Sequence, residues 1–84
     1  MEFRNETEKK THSIWCEVLN NPDIQLEDNF FDIGGNSLYA MLMLKKIEEV
    51  FQVEFEVADL FACKNVKETA EAIDKILYEH KGKA

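Results

Sequence analysis

The sequence is poor in cysteine, proline and glycine, with two, one and three residues among 84. Cys16 and Cys63 stand far apart, with no Cys-x-x-Cys pair and no histidine at ligand spacing, which argues against a metal site and a disulfide framework and predicts two reduced thiols. No stretch approaches the ~20 apolar residues that a membrane span requires, and residues 1–5 hold no apolar run, so the cytoplasm is the expected compartment. Internal repeats and low-complexity tracts are also missing. Basic residues are outnumbered, ten against seventeen acidic ones, for a formal net charge of −7. Charge of that sign repels phosphate backbones and anionic headgroups, arguing against nucleic-acid and membrane-surface roles. It suits partners with basic patches, and it also simply keeps a small domain soluble.

What is present suffices for one core. Hydrophobic residues make up 45% of the chain and include six phenylalanines, while 32% charged residues can cover the surface. A second domain has no room. Asn5 and Glu8 have capping-box spacing, and Ile14, Trp15, Val18 and Leu19 recur at helical intervals before the stop at Asn20-Asn21-Pro22, which predicts a helix over 6–20. From Pro22 to Asn36 there is no period, yet Ile24, Leu26, Phe30, Phe31 and Ile33 are large and apolar. This stretch reads as a long loop packed onto the core, with both phenylalanines pinning it.

A second helix is predicted over 37–51, entered through Gly34-Gly35-Asn36. At ~100° per residue, Ala40, Met43, Leu44, Ile47, Val50 and Phe51 form its core stripe, and Leu38, Met41 and Leu42 fall on the opposite side. Residues 52–56 read as an extended connection, since Val53 and Phe55 alone cannot support a sheet. Val57–Phe61 suits a short third helix. Asn65 and Glu68 repeat the capping-box spacing ahead of a fourth helix ending near Glu79, with 80–84 as a polar tail. His12 and His80 are expected to be solvated. The chain is therefore expected to be all-α.

Ser37 opens the second helix behind two glycines, so its hydroxyl should be exposed and approachable. The unpaired N–H groups and positive dipole end there favour a phosphate esterified to it. A hydrolase is disfavoured, because no base and orienter accompany the serine and Gly35-Asn36-Ser37-Leu38-Tyr39 lacks the second glycine of a nucleophile elbow. A calcium loop starting at Asp28 fails at Phe30 and Ile33, where an oxygen ligand and a glycine are needed. Taken alone, Gly34 to Ser37 equally describes ordinary helix-start chemistry, and Met41 and Leu42 could belong to a thick core.

The run Asp28-Asn29-Phe30-Phe31-Asp32-Ile33-Gly34-Gly35-Asn36-Ser37-Leu38 resembles the attachment motif of peptidyl carrier (thiolation) domains of nonribosomal peptide synthetases, roughly Asp-x-Phe-Phe-x-x-Gly-Gly-x-Ser-Leu. The likeness continues over 6–79 through Ile14-Trp15, Val18-Leu19, the Ala40 to Ile47 stripe and Leu60-Phe61. It implies a four-helix bundle of the acyl carrier protein type over 6–79, with a long loop between helices 1 and 2, a short helix 3, and tails at 1–5 and 80–84. It implies a 4′-phosphopantetheine arm carried covalently on Ser37, delivered from coenzyme A by a phosphopantetheinyl transferase, with Gly34, Gly35 and Asn36 around it. Leu38, Met41 and Leu42 would dock partners, with Asp32 and Asn36 tuning that surface: an adenylation enzyme or domain, and condensation, thioesterase or tailoring domains. Such a protein is a monomeric, non-catalytic carrier of aminoacyl or peptidyl thioesters. Three positions depart from the pattern: Asn36, Thr11 in place of leucine, and Lys64-Asn65 in place of Pro-Thr before helix 4. An acyl carrier of polyketide or fatty-acid synthesis is the nearest alternative, and a helical protein-interaction domain is the alternative from another class. Met1 suits a free-standing chain as well as a piece of a synthetase.

Overall fold

The computed structural model describes residues 2–82, of which 80–82 by their helical backbone alone. Helix α1, Glu6–Leu19, starts where the cap spacing puts it, with Asn5 Oδ1 accepting the Glu8 N–H at 2.9 Å. The Glu8 carboxylate reaches one residue further back than a capping box requires and accepts the Arg4 N–H at 2.8 Å. Asn20, in the left-handed conformation at φ 52°, closes the helix by donating its N–H to the carbonyls of Cys16 and Glu17. Helix α2, Ser37–Phe51, has the bounds read from its periodicity and ends at Gln52 in the same way. Helix α3, Val57–Cys63, runs two residues beyond the expected Phe61. Helix α4, Val66–Gly82, continues past Glu79, so 80–82 are helical and not a tail; Met1, Lys83 and Ala84 lie outside the described residues. Residues 52–56 are an extended connection, and no strand occurs among the described residues.

Helix α1 packs on α2 and α4, and α3 closes the bundle between α2 and α4. The core joins Ile14 and Trp15 of α1, Ala40, Met43 and Ile47 of α2, Val53 and Phe55 of the connection, Leu60 of α3, and Val66, Ala70 and Ile73 of α4. Each large side chain so buried stabilises the fold by about 1.5–3 kcal/mol before entropy is counted. Val50, expected in the stripe, is exposed: it lies at the edge of a groove between α1 and α2 rimmed by Lys10, Glu17 and Lys46, where the two helices no longer cover it. Thr11 is fully buried without an unpaired hydroxyl, because its Oγ1 donates to the Thr7 carbonyl at 2.7 Å; Thr69 does the same to Asn65 at 2.7 Å. That back-bonding is what lets threonine occupy a leucine-like position in α1.

The segment between α1 and α2 is a succession of side-chain-capped turns. Asn21 Oδ1 accepts the Asp23 N–H at 2.9 Å, and Asp28 Oδ2 accepts the Gln25 N–H at 2.8 Å. A 3-10 helix, Phe30–Ile33, follows, with Asn29 Oδ1 on the Phe31 N–H at 2.9 Å. Ile24 is buried, and its carbonyl lies 2.7 Å from His12 Nε2. His12 is thus a half-buried tie between α1 and the loop and not a solvated residue. Its ring also packs on Phe3 at 5.2 Å, while Arg4 and Asn5 both donate to Asp74 Oδ2, so residues 3–5 lie on the body of the domain. The side chain of His80 is outside the described residues. No helix among the described residues is long and apolar enough to cross a membrane.

Candidate functional site

The position of Ser37 can be traced back to the core. Trp15 is fully buried, and Phe30, 1% exposed, meets its ring edge-on at 5.4 Å and 78°. The Phe30 N–H donates to the Lys64 carbonyl at 2.7 Å, and the Phe30 carbonyl accepts the N–H groups of Gly34 and, at 2.9 Å, Gly35. Gly34 has φ 97°, a conformation that side-chain-bearing residues avoid, with open space beside it. Gly35 is a glycine for another reason: a Cβ there would stand 2.5 Å from the Phe30 ring and carbonyl oxygen. The side chain it lacks would enter the core, whereas the space beside Gly34 is open.

Asn36 follows in extended conformation and caps α2, its Oδ1 accepting the Tyr39 N–H at 3.1 Å and its carbonyl the Ala40 N–H at 2.8 Å. Ser37 is then the first residue of the helix, and it is exposed. The N–H groups of Ser37 and Leu38 have no acceptor within the helix by its geometry. Helix α1 has Glu6 and Glu8 in its first turn, α3 has Asp59 and α4 has Glu68; α2 has no acidic residue there. The positive end of the α2 dipole is therefore not countered from within its own first turn, and a phosphate ester on the exposed Ser37 hydroxyl fits there.

Beyond Ser37 the two faces of α2 separate as the periodicity predicts. Ala40, Met43 and Ile47 are buried, while Leu38 and Met41 are 67% and 66% exposed and Leu42 is also open to solvent. Two residues join this apolar surface that sequence reasoning assigned elsewhere or passed over. Phe31 does not pin the loop; it is 53% exposed and leans on Phe30 and on Phe61 of α3, both at 5.4 Å between centroids. In a 3-10 helix of four residues no period separates inward from outward positions, so the Phe30-Phe31 pair alone does not tell which ring is buried. Val57, at the start of α3, is also exposed and shares a groove of about 440 Å³ with Met41, Leu44 and Phe55. Asp32 is exposed on the 3-10 helix.

Neither cysteine offers a competing nucleophile. Burial pushes the Cys16 thiol up, with Asp23 adding to the effect against a backbone hydrogen bond from Ile24 that opposes it. Burial likewise raises Cys63, reinforced by Glu68 and Asp59. Both thiols stay protonated near neutral pH. Among the described residues no group of three or more His, Cys, Asp or Glu side chains could hold a metal ion.

Comparison with known proteins agrees with this geometry. Residues 9–73 match the family described as phosphopantetheine attachment site. The chain is 43% identical over 76 residues to tyrocidine synthase 3 of Brevibacillus parabrevis, a match covering 90% of this chain and 1% of the synthase. Bacitracin synthase 1 of Bacillus licheniformis is 38% identical over 79 residues, 94% of this chain and 2% of that protein. The chain thus spans one or two per cent of the length of these relatives. Among solved structures, the complex of the phosphopantetheine transferase Sfp with coenzyme A and a peptidyl carrier protein superposes with a TM-score of 0.83 at 35% identity, covering 89% of this chain and 97% of that one.

Proposed function

The chain belongs to the phosphopantetheine attachment-site family, and on that premise we propose that Ser37 is the residue that bears the arm. The family binds 4′-phosphopantetheine, which coenzyme A supplies. The observation that carries the assignment to Ser37 is an exposed hydroxyl at the first position of α2, the one helix whose first turn has no carboxylate. Gly34 leaves the approach open, Asn36 holds the first turn, and the Trp15–Phe30–Gly35 contacts set where the hydroxyl points. When bound, the arm supplies a thiol on which an acyl group is held as a thioester. The chain's own residues then present that thioester, and attachment turns a dilute encounter into an intramolecular one.

The cargo in this reading is an aminoacyl or peptidyl group, and the setting is nonribosomal peptide synthesis in the cytoplasm. The domain itself acts as a monomer and does no catalysis. Support comes from the synthases it resembles and from the peptidyl carrier proteins whose fold it shares. Leu38, Met41 and Leu42 form the docking surface for the transferase, the adenylating enzyme and the condensing, thioesterase or tailoring domains, with Phe31 and Val57 extending it. Asp32 and Asn36 shape its edge.

The test is incubation with coenzyme A and a broad-specificity phosphopantetheinyl transferase, read by intact mass and peptide mapping. The expected outcome is gain of one phosphopantetheinyl group on Ser37, none on Ser37→Ala, and indistinguishable circular dichroism for the two, since an exposed substitution of this kind changes stability little. Modification of another residue would overturn the assignment.

A further inference from the structure

The junction between α3 and α4 is only two residues long, Lys64 and Asn65, and it is strained. Lys64 has φ 64° and ψ −39°, and the Asn65 N–H donates to the Cys63 carbonyl at 2.7 Å. A hydrogen bond across one residue at positive φ makes this a γ-turn of the rare kind that side-chain-bearing residues adopt only when their surroundings force it. The other positive-φ residues bearing side chains among those described, Asn20 and Gln52, sit in the ordinary left-handed well with ψ 47° and 41°, closing α1 and α2. Lys64 is outside that well.

The forcing elements are visible on both sides. Leu60 and Val66 are buried and anchor the two helices, and Asn65 is committed to capping α4 through the Glu68 N–H at 2.8 Å. What the strained turn achieves is the direction of one carbonyl. The Lys64 oxygen accepts the Phe30 N–H at 2.7 Å, and the opposite face of the Phe30 residue, its carbonyl, holds Gly34 and Gly35, immediately before the Asn36 cap and Ser37. The Lys64 side chain itself is exposed, so its contribution is made by the backbone.

We propose that Lys64 is a positioning residue for arm attachment: its γ-turn, acting through Phe30 and Gly35, sets the direction of the Ser37 hydroxyl from the junction between α3 and α4. The proposal rests on Ser37 being the attachment residue. Glycine at position 64 accepts positive φ freely and should keep the turn, whereas a β-branched residue cannot adopt it and should release the carbonyl from Phe30.

The experiment measures transferase kinetics with the carrier as the varied substrate for wild type, Lys64→Gly and Lys64→Val, with circular dichroism to confirm folding. Lys64→Gly is expected to retain wild-type kcat and KM and to melt at a higher temperature. Lys64→Val is expected to lose roughly ten- to a hundredfold in kcat with KM nearly unchanged, because the docking surface is intact and the nucleophile is misaimed. Equal losses in both variants would show that the lysine charge is a docking contact and would overturn the proposal, as would wild-type kcat in a folded Lys64→Val. Should Lys64→Val not fold, Gly35→Ala tests the same chain of contacts at its other end: a kcat loss at steady KM supports the proposal, and wild-type kcat overturns it. Failure of the wild type to gain the arm on Ser37 is a separate result, which removes the attachment reading and this proposal with it.

Discussion

The four helix starts differ in what they do about the dipole. In α1 the first turn carries Glu6 and Glu8, in α3 Asp59 and in α4 Glu68, each a negative charge at the positive end of its own helix. Helix α2 starts with Ser37, Leu38 and Tyr39, and its first turn holds no carboxylate. Helices α1, α2 and α4 nonetheless share one cap residue, an asparagine whose Oδ1 takes the N–H three residues on. The common cap shows that all three ends are ordered alike, so the absent charge at α2 is a separate choice of the sequence. Three helices carry an acidic residue in their own first turn, and α2 does not.

The comparison can be broken at the caps, where the largest effects are expected. Asn5→Ala removes both the α1 cap and the 2.8 Å bond to Asp74, and should cost about 1–2 kcal/mol in chemical denaturation while leaving transfer of the arm unchanged. Asn36→Ala should cost about 1 kcal/mol and, unlike the first, also slow transfer, because the loosened turn contains Ser37. Equal transfer rates in the two variants would show that order at the α2 start does not matter for attachment.

A smaller pair sharpens the electrostatic part. Ser37→Asp supplies α2 with the charge it lacks and should stabilise the fold by about 0.3–1 kcal/mol, whereas Glu68→Gln removes it from α4 and should destabilise by a similar amount. Both shifts should shrink as salt is raised. A Ser37→Asp protein no more stable than wild type at low salt would mean that the α2 end is already compensated from elsewhere.

Local signals were the legible ones. Caps and helical period located α2 to the residue and separated Ala40, Met43 and Ile47 from Leu38, Met41 and Leu42, because both depend on neighbours within a turn or two. The reading failed where the partner is distant in sequence. His12 meets the Ile24 carbonyl, and Phe30 meets that of Lys64, through bonds that no spacing rule announces. Val50 has the right angular position for the core yet lies where no neighbouring element reaches, since period gives direction and not coverage. The 3-10 helix at Phe30–Ile33 is too short to show a period, so nothing in the sequence separates the exposed Phe31 from the buried Phe30. The exposed place of Ser37 at the start of α2 was readable from the residues before it, but the reason for Gly35, a collision with Phe30, needed three dimensions.

The chain holds a single tryptophan, and its Nε1 is buried without a hydrogen-bond partner among the described residues. An indole kept this dry emits toward the blue and moves red when water arrives. Since Phe30 lies against that ring and also anchors the turn leading to Ser37, the protein carries its own optical reporter for the seating of that turn. Emission of the unlabelled protein is therefore expected to move red when Phe30 leaves the indole.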